Sequence, residues 1–112
     1  MNKIILQIDA GAGVQNSESR KMTRVFVERW LKAHAEYELV QRDITAQPLP
    51  HLDETMLAGL FAAPEDRSSA MQSAVDRVDA LVEEFLGADV IVMGVPMYNF
   101  GIPSTLKAYI DH

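Results

Sequence analysis

Apolar residues in this chain fall into short unbroken runs separated by longer stretches in which they recur every three or four positions. The first run, Lys3 to Ile8, is rich in Ile and Leu and breaks at Asp9-Ala10-Gly11-Ala12-Gly13, the pattern of a buried strand feeding a glycine-containing loop. A helix capped by Asn16 or Ser17 is expected next, with Met22, Val25, Phe26, Trp30 and Ala33 as one apolar stripe lying on a sheet. Tyr37 to Arg42 alternates like an edge strand. A connector from Ile44 to Asp53 holds Pro48 and Pro50, and a short helix is expected from Glu54 to Ala62, ending before Ala63-Pro64.

A long helix then starts at Asp66 or Ser68. Met71, Val75, Val78, Val82 and Phe85 are its expected buried face, Asp76, Arg77, Asp79, Glu83 and Glu84 its solvated face, and Gly87 its end. Val90 to Val95 is the most continuous apolar run, as in a parallel strand covered on both faces. Pro103 can open a last helix whose apolar contacts are Leu106, Ala108, Tyr109 and Ile110. This alternation argues for an α/β fold: a parallel sheet with right-handed crossovers and helices on both faces. If the strands take a doubly wound order, 2-1-3, Val90 to Val95 is left as an apolar edge, which invites pairing with another chain.

Composition narrows the class. At 112 residues, with 48% hydrophobic and 23% charged, the sequence fits one folded domain, residues 1–112. The net charge of -6 and the absence of a Lys/Arg cluster argue against a nucleic-acid or anionic-membrane partner. With no cysteine there is no disulfide, thiolate nucleophile or Cys-based metal site. Met1 to Asp9 is too short and too polar for a signal peptide, and no apolar run approaches membrane-spanning length, so a cytoplasmic protein is expected. His34, His51 and His112 lack metal-ligand spacing and read as surface residues. The acidic stretch Asp76 to Glu84 reads as a solvated face, Trp30 as core and Lys107 as solvent-facing.

Chemistry concentrates in two loops. Asp9 to Ser19 offers backbone amides at a helix N-terminus and the hydroxyls of Ser17 and Ser19, an anion cradle to which Arg20 can add charge. The same residues also suit a capped helix with solvated serines, and neither GxGxxG nor the P-loop pattern is present. Pro96-Met97-Tyr98-Asn99-Phe100, at the end of the third strand, sets a thioether, a phenol, an amide and a phenyl ring on one loop. Ligands of open α/β sheets bind outside the carboxyl ends of the strands, at the point where strand order reverses. The first and third strands flank that point, so one loop would hold a phosphate and the other a flat ring.

The run from Gly87 through Pro96-Met97-Tyr98-Asn99-Phe100 to Asp111-His112, with Ser17-Glu18-Ser19, Phe26-Val27-Glu28-Arg29-Trp30, Arg42-Asp43-Ile44 and Leu49-Pro50, resembles the FMN-dependent NADH-azoreductase family, also called NADH:quinone oxidoreductases. The resemblance implies a flavodoxin-like fold and a homodimer that binds FMN near the subunit interface. NADH or NADPH would then donate electrons to a quinone or azo compound in a ping-pong cycle. It implies that Ser17 and Ser19 contact the FMN phosphate, and that Pro96, Met97, Tyr98, Asn99 and Phe100 line the ribityl chain and isoalloxazine. No side chain is then required as a catalytic acid or base. Family members often carry a serine, commonly followed by proline, in the first loop, where this chain has Asp9-Ala10-Gly11-Ala12, and an aspartate near a phosphate repels it unless it is turned away. They also continue beyond the position of His112 into a Gly-containing loop, two more strands and a final helix. The alternative reading is a flavodoxin-like binding or dimerisation module without turnover.

Overall fold

The structure, a computed structural model, describes residues 2–11, 18–97 and 101–112. Three parallel strands, β1 (Lys3–Asp9), β2 (Tyr37–Asp43) and β3 (Val90–Gly94), form a sheet in the order β2-β1-β3. Helix α1 (Glu18–Ala33) connects β1 to β2. Helix α2 (Glu54–Phe61), a 3-10 turn (Pro64–Asp66) and α3 (Ser69–Leu86) connect β2 to β3, and α4 (Ser104–Ile110) follows. The succession of elements is the one expected from the periodicity, and the strand order is the one that goes with the flavodoxin-like resemblance.

Local chemistry fixes the helix ends. Asp53 caps α2 by accepting from the Met56 amide at 2.8 Å, and Ser68 caps α3 by accepting from the Met71 amide at 3.2 Å. The break at Pro64 is the 3-10 turn, and the Gly87 amide closes α3 by donating to the Glu83 carbonyl at 2.9 Å. At Gly59 a Cβ would lie 3.0 Å from the Met71 carbonyl and 3.1 Å from Val75 Cγ2, so α2 approaches α3 closely there.

The two faces of the sheet differ in chemistry. Leu6 and Ile8 of β1 point to one face, where they join Ala10, Ile44, Leu81, Leu106 and Tyr109 in the main core; Ile5, Leu6 and Ile8 are fully buried. Met56, Ala74 and Val78 form a second cluster between α2 and α3. Arg42 of β2 pairs with Glu84 of α3 through two bonds of 2.9 and 2.7 Å and ties the edge strand to this layer. On the opposite face, under α1, β1 and β2 present Gln7 opposite Gln41 and Asp9 opposite Asp43.

That polar patch corrects the expected orientation of α1. The residues α1 buries are Arg20, Thr23 and Val27, whereas Met22, Val25 and Phe26 are exposed. Buried amides and carboxylates require polar partners, so the helix turns Arg20 and Thr23 inward and swings its apolar stripe to the flank. Trp30 is half-buried rather than core, stacked on His34 with ring centroids 4.0 Å apart and edge-on to Tyr37. His34 and His112 are half-buried too. The ring of His34 meets the Trp30 carbonyl at 3.0 Å, and His112 accepts from Arg77 Nε at 3.2 Å, whereas His51 is exposed.

In α3 the inward face is Ala74, Val75, Val78 and Leu81, while Val82 and Phe85 are exposed and Glu84 is drawn toward Arg42. Lys107 is exposed as expected and pairs with Asp111. Among the described residues no helix is long and apolar enough to cross a membrane, and no group of three or more His, Asp or Glu side chains is arranged to hold a metal ion.

Ile8→Ala should lower unfolding free energy by about 2–5 kcal/mol, while Met22→Ala, at a position 72% exposed, should change it by less than about 0.5 kcal/mol. Chemical denaturation of both variants checks which way α1 and the sheet face.

Candidate functional site

The carboxyl ends of the three strands are stitched together before any loop leaves them. The Ala10 amide donates to the Gly94 carbonyl at 3.0 Å, and the Ile44 amide donates to the Asp9 carbonyl at 3.2 Å. Arg20, 8% exposed, extends from the first turn of α1 into this junction. Its Nε and Nη2 donate to the Gly11 carbonyl at 3.2 and 2.9 Å, and Nη1 and Nη2 grip Asp43 at 2.7 and 2.9 Å. Asp43 Oδ1 also accepts from the amides of Thr45 and Ala46 at 3.1 and 3.0 Å. One guanidinium thus fixes the outlet of β1, the start of α1 and the turn after β2.

Electrostatics follows from those contacts. The Arg20 guanidinium bonded to Asp43 holds its carboxyl well below the ordinary 3.8, at about 2, with help from the two turn amides. Asp9 moves the other way. Burial raises it, against the lowering effects of the Gln7 amide, which donates to Oδ2 at 2.9 Å, and of the Arg20 charge. Its other oxygen is buried with no hydrogen-bond partner among the described residues. Gln7, Asp9, Arg20, Arg24, Gln41 and Asp43 line a cavity of about 240 Å³ between α1 and the sheet.

A close approach joins the two candidate loops. A Cβ at Gly94 would stand 2.5 Å from Thr23 Oγ1, 3.2 Å from Asp9 Oδ1 and 3.2 Å from the Ser19 carbonyl, so only glycine lets the first turn of α1 rest on the end of β3. The Thr23 hydroxyl donates to the Ser19 carbonyl at 2.7 Å, holding that turn in place. Ser19, half-buried, therefore sits beside the point from which Val95, Pro96 and Met97 depart. Pro96 is half-buried and Met97 is 69% exposed at the strand outlet. The structure brings together the described members of the two loops: Ser19 on one side, Pro96 and Met97 on the other. Ser17, Tyr98, Asn99 and Phe100 lie outside the described residues.

Two sequence expectations change here. Asp9 is turned under α1 onto Gln7, so it does not face the loop as a repelling charge. Arg20 is bonded to Gly11 and Asp43 and so also tethers the strand ends. The sequence reading also missed Gly94, Thr23 and Asp43. Polar residues two apart in both strands, Gln7 with Asp9 and Gln41 with Asp43, were the available signal for a buried polar layer.

A family model described as the flavodoxin-like fold matches residues 3–112. The chain belongs to that family. It is 46% identical over 108 residues to an FMN-dependent NADH:quinone oxidoreductase of Marinomonas sp. (strain MWYL1), covering 96% of this chain and 55% of that protein. A protein of the same name from Nostoc punctiforme is 46% identical over 107 residues, with coverage of 96% and 52%. Among solved structures, an FMN-dependent NADH-azoreductase from Bacillus anthracis in complex with FMN superposes with a TM-score of 0.87 at 25% identity, over 97% of this chain and 54% of that one. The chain spans about half the length of the curated relatives it matches.

The Asp43 carboxyl is ionised in the fold at pH values where the unfolded chain protonates it, so its stabilising contribution is present above about pH 4 and is lost as pH falls through about 2. This contribution is about 2 kcal/mol, and Asp43→Asn should flatten the acid limb of the stability curve by that amount in denaturation between pH 5 and 2. Gly94→Ala should cost about 1–3 kcal/mol, and Thr23→Ala in the same chain should make the pair less than additive, because the nearest clashing atom is gone. A double-mutant cycle read by denaturation decides it.

Proposed function

We propose that this chain carries the flavin-holding part of an FMN-dependent oxidoreductase that passes electrons from NADH or NADPH to a quinone or azo acceptor. The observation that carries the reading is the meeting of the Ser19 turn with the outlet of Pro96 and Met97, on a chain 46% identical to FMN-dependent NADH:quinone oxidoreductases. Strand ends of this kind are where doubly wound sheets hold nucleotide ligands.

The residues present fit FMN. The first turn of α1 is fixed by Arg20 and Thr23 beside the strand ends, and a helix start favours a phosphate without a cationic side chain. The negative charge of Asp9 lies beneath α1, bonded to Gln7. Met97 exposes a polarizable thioether suited to the face or edge of an isoalloxazine. In this proposal Ser17 and Ser19 bind the phosphate, and Pro96, Met97, Tyr98, Asn99 and Phe100 border the ribityl chain and ring.

When bound, the flavin supplies the acceptance and return of hydride, so the protein contributes binding and orientation and no side chain acts as acid or base. Nicotinamide and acceptor use the same exposed face in turn, which is a ping-pong order. We also propose that the protein works in the cytoplasm as a homodimer. A second reading, a flavodoxin-like module without turnover, is favoured by one observation: no described strand pairs with the outer edge of β3, so one side of the crevice has no described strand as its wall.

Titration of the protein into FMN should quench flavin fluorescence, and anaerobic NADH should bleach the bound flavin. Ser19→Ala should weaken binding about ten- to a hundredfold, the equivalent of one lost hydrogen bond to a charged group. Flavin bound but not bleached supports the module reading; no quenching at all overturns the proposal.

A further inference from the structure

We propose that Asp9 makes flavin binding proton-linked: as the FMN phosphate settles on the first turn of α1, the carboxyl beneath that turn takes up a proton, and where it stays ionised its charge lowers FMN affinity. This inference rests on the flavin-holding reading and adds to it the group that regulates the site.

Turning under α1 takes Asp9 out of contact with the ligand loop but leaves it close by. The point where a Gly94 Cβ would stand is 3.2 Å from Asp9 Oδ1 and 3.2 Å from the Ser19 carbonyl, so the carboxyl and the phosphate-binding turn crowd the same spot. Asp9 is 8% exposed. Its Oδ2 accepts from the Gln7 amide at 2.9 Å, and Gln7 Oε1 accepts in turn from the Gln41 amide at 3.5 Å. Oδ1 is buried with no hydrogen-bond partner among the described residues. A buried carboxylate with one oxygen unsatisfied is a costly anion, and a second anion placed near it makes it costlier. Taking up a proton removes that cost.

The groups that face Asp9 do not cancel its charge. Arg20 and Arg24 face it from α1, Asp43 from β2 and Gln7 from its own strand, while β3 meets it with the uncharged Gly94. Burial raises the carboxyl above its ordinary 3.8 against the Gln7 bond and both arginine charges, and the Asp43 charge pushes the same way as burial. Arg20 is bonded to Asp43, which matches its charge, and Arg24 is exposed, where solvent and salt screen it. At an effective dielectric of about 20, unit charges within about 8 Å of one another alter a binding constant by roughly tenfold or more. The proton has a route, since Asp9 lines the polar cavity under α1 that the exposed Arg24 also borders.

At pH values low enough to keep Asp9 neutral in the free protein, the phosphate meets no repulsion from it. At higher pH the free protein carries the charge, and binding either draws a proton from solvent or sets two anions side by side. The contribution of Asp9 to FMN affinity therefore declines as pH rises.

FMN fluorescence titrations compare the protein with Asp9→Asn, which keeps the shape of the side chain and fixes it neutral. At about pH 8 the variant should bind FMN roughly tenfold more tightly than the wild type, and the ratio should shrink toward one as pH falls to about 5. Riboflavin, which has no phosphate, should show no difference at any pH. Calorimetry at about pH 5.5 in buffers of different ionisation enthalpy should show the wild type taking up about 0.2–0.5 proton more per FMN than the variant. Circular dichroism checks that the variant folds. Where it does not fold, the wild type alone decides. Net proton uptake with FMN and none with riboflavin supports the inference, while no exchange or net release overturns it, because a phosphate that gains charge at a helix start releases a proton. A variant that matches wild-type affinity for FMN across the whole range, or tightens FMN and riboflavin alike, overturns the inference and leaves the flavin-holding reading standing. Absence of FMN binding by both forms overturns the two together.

Discussion

Arg20 is the residue on which the upper end of the molecule depends. Its five donors are fixed in one plane, and four contacts to Gly11 and Asp43 lock the end of β1, the first turn of α1 and the turn that follows β2 into one unit. A lysine, with one donor atom, could not reproduce the two-pronged grip on both partners. The ion pair is nearly dry on the Arg20 side and partly wet on the Asp43 side, so desolvation is moderate while both charges keep full hydrogen-bond geometry. Everything that positions the first loop relative to the third strand passes through this unit, because Thr23 and Ser19 lie on the same turn of α1.

The elements and their order were legible because each rests on a local signal. β1 is rich in Ile and Leu and β3 is an unbroken apolar run, α2 and α3 start at Asp53 and Ser68, and Pro64 and Gly87 punctuate where they should. The rotation of α1 was not legible from its own sequence. An apolar stripe at Met22, Val25 and Phe26 states which side of the helix prefers burial, but the sheet beneath presents Gln7, Asp9, Gln41 and Asp43. Leaving the buried Gln7 and Asp9 and the half-buried Asp43 without partners would cost more than exposing three apolar side chains, so the polar side of the helix turns inward. The information sat in the strands, at alternate positions, and had to be read across β1 and β2 together.

The candidate site divides in the same way. Ser19 and Met97 come from the loops that sequence singled out, since strand ends are where an α/β sheet places its ligands. What brings them to one place is Gly94, a residue with no side chain to notice. Its role appears only when the chain is folded and Thr23 Oγ1 occupies the space where a Cβ would stand. Asp9 shows the converse: a charged residue that looks like part of the ligand loop in one dimension belongs to the layer beneath α1 in three.

The junction between β1 and β3 is held by described residues, whereas no described strand pairs with the outer side of β3. In the proposed FMN site the phosphate end rests on α1, Arg20 and Gly94, supported from below by the buried strand β1, and the ring end on residues that leave β3 beside exposed apolar side chains. On that proposal, affinity for the phosphate and orientation of the ring are separable: the first is set at the junction of Ala10, Arg20 and Gly94, the second where the chain leaves β3.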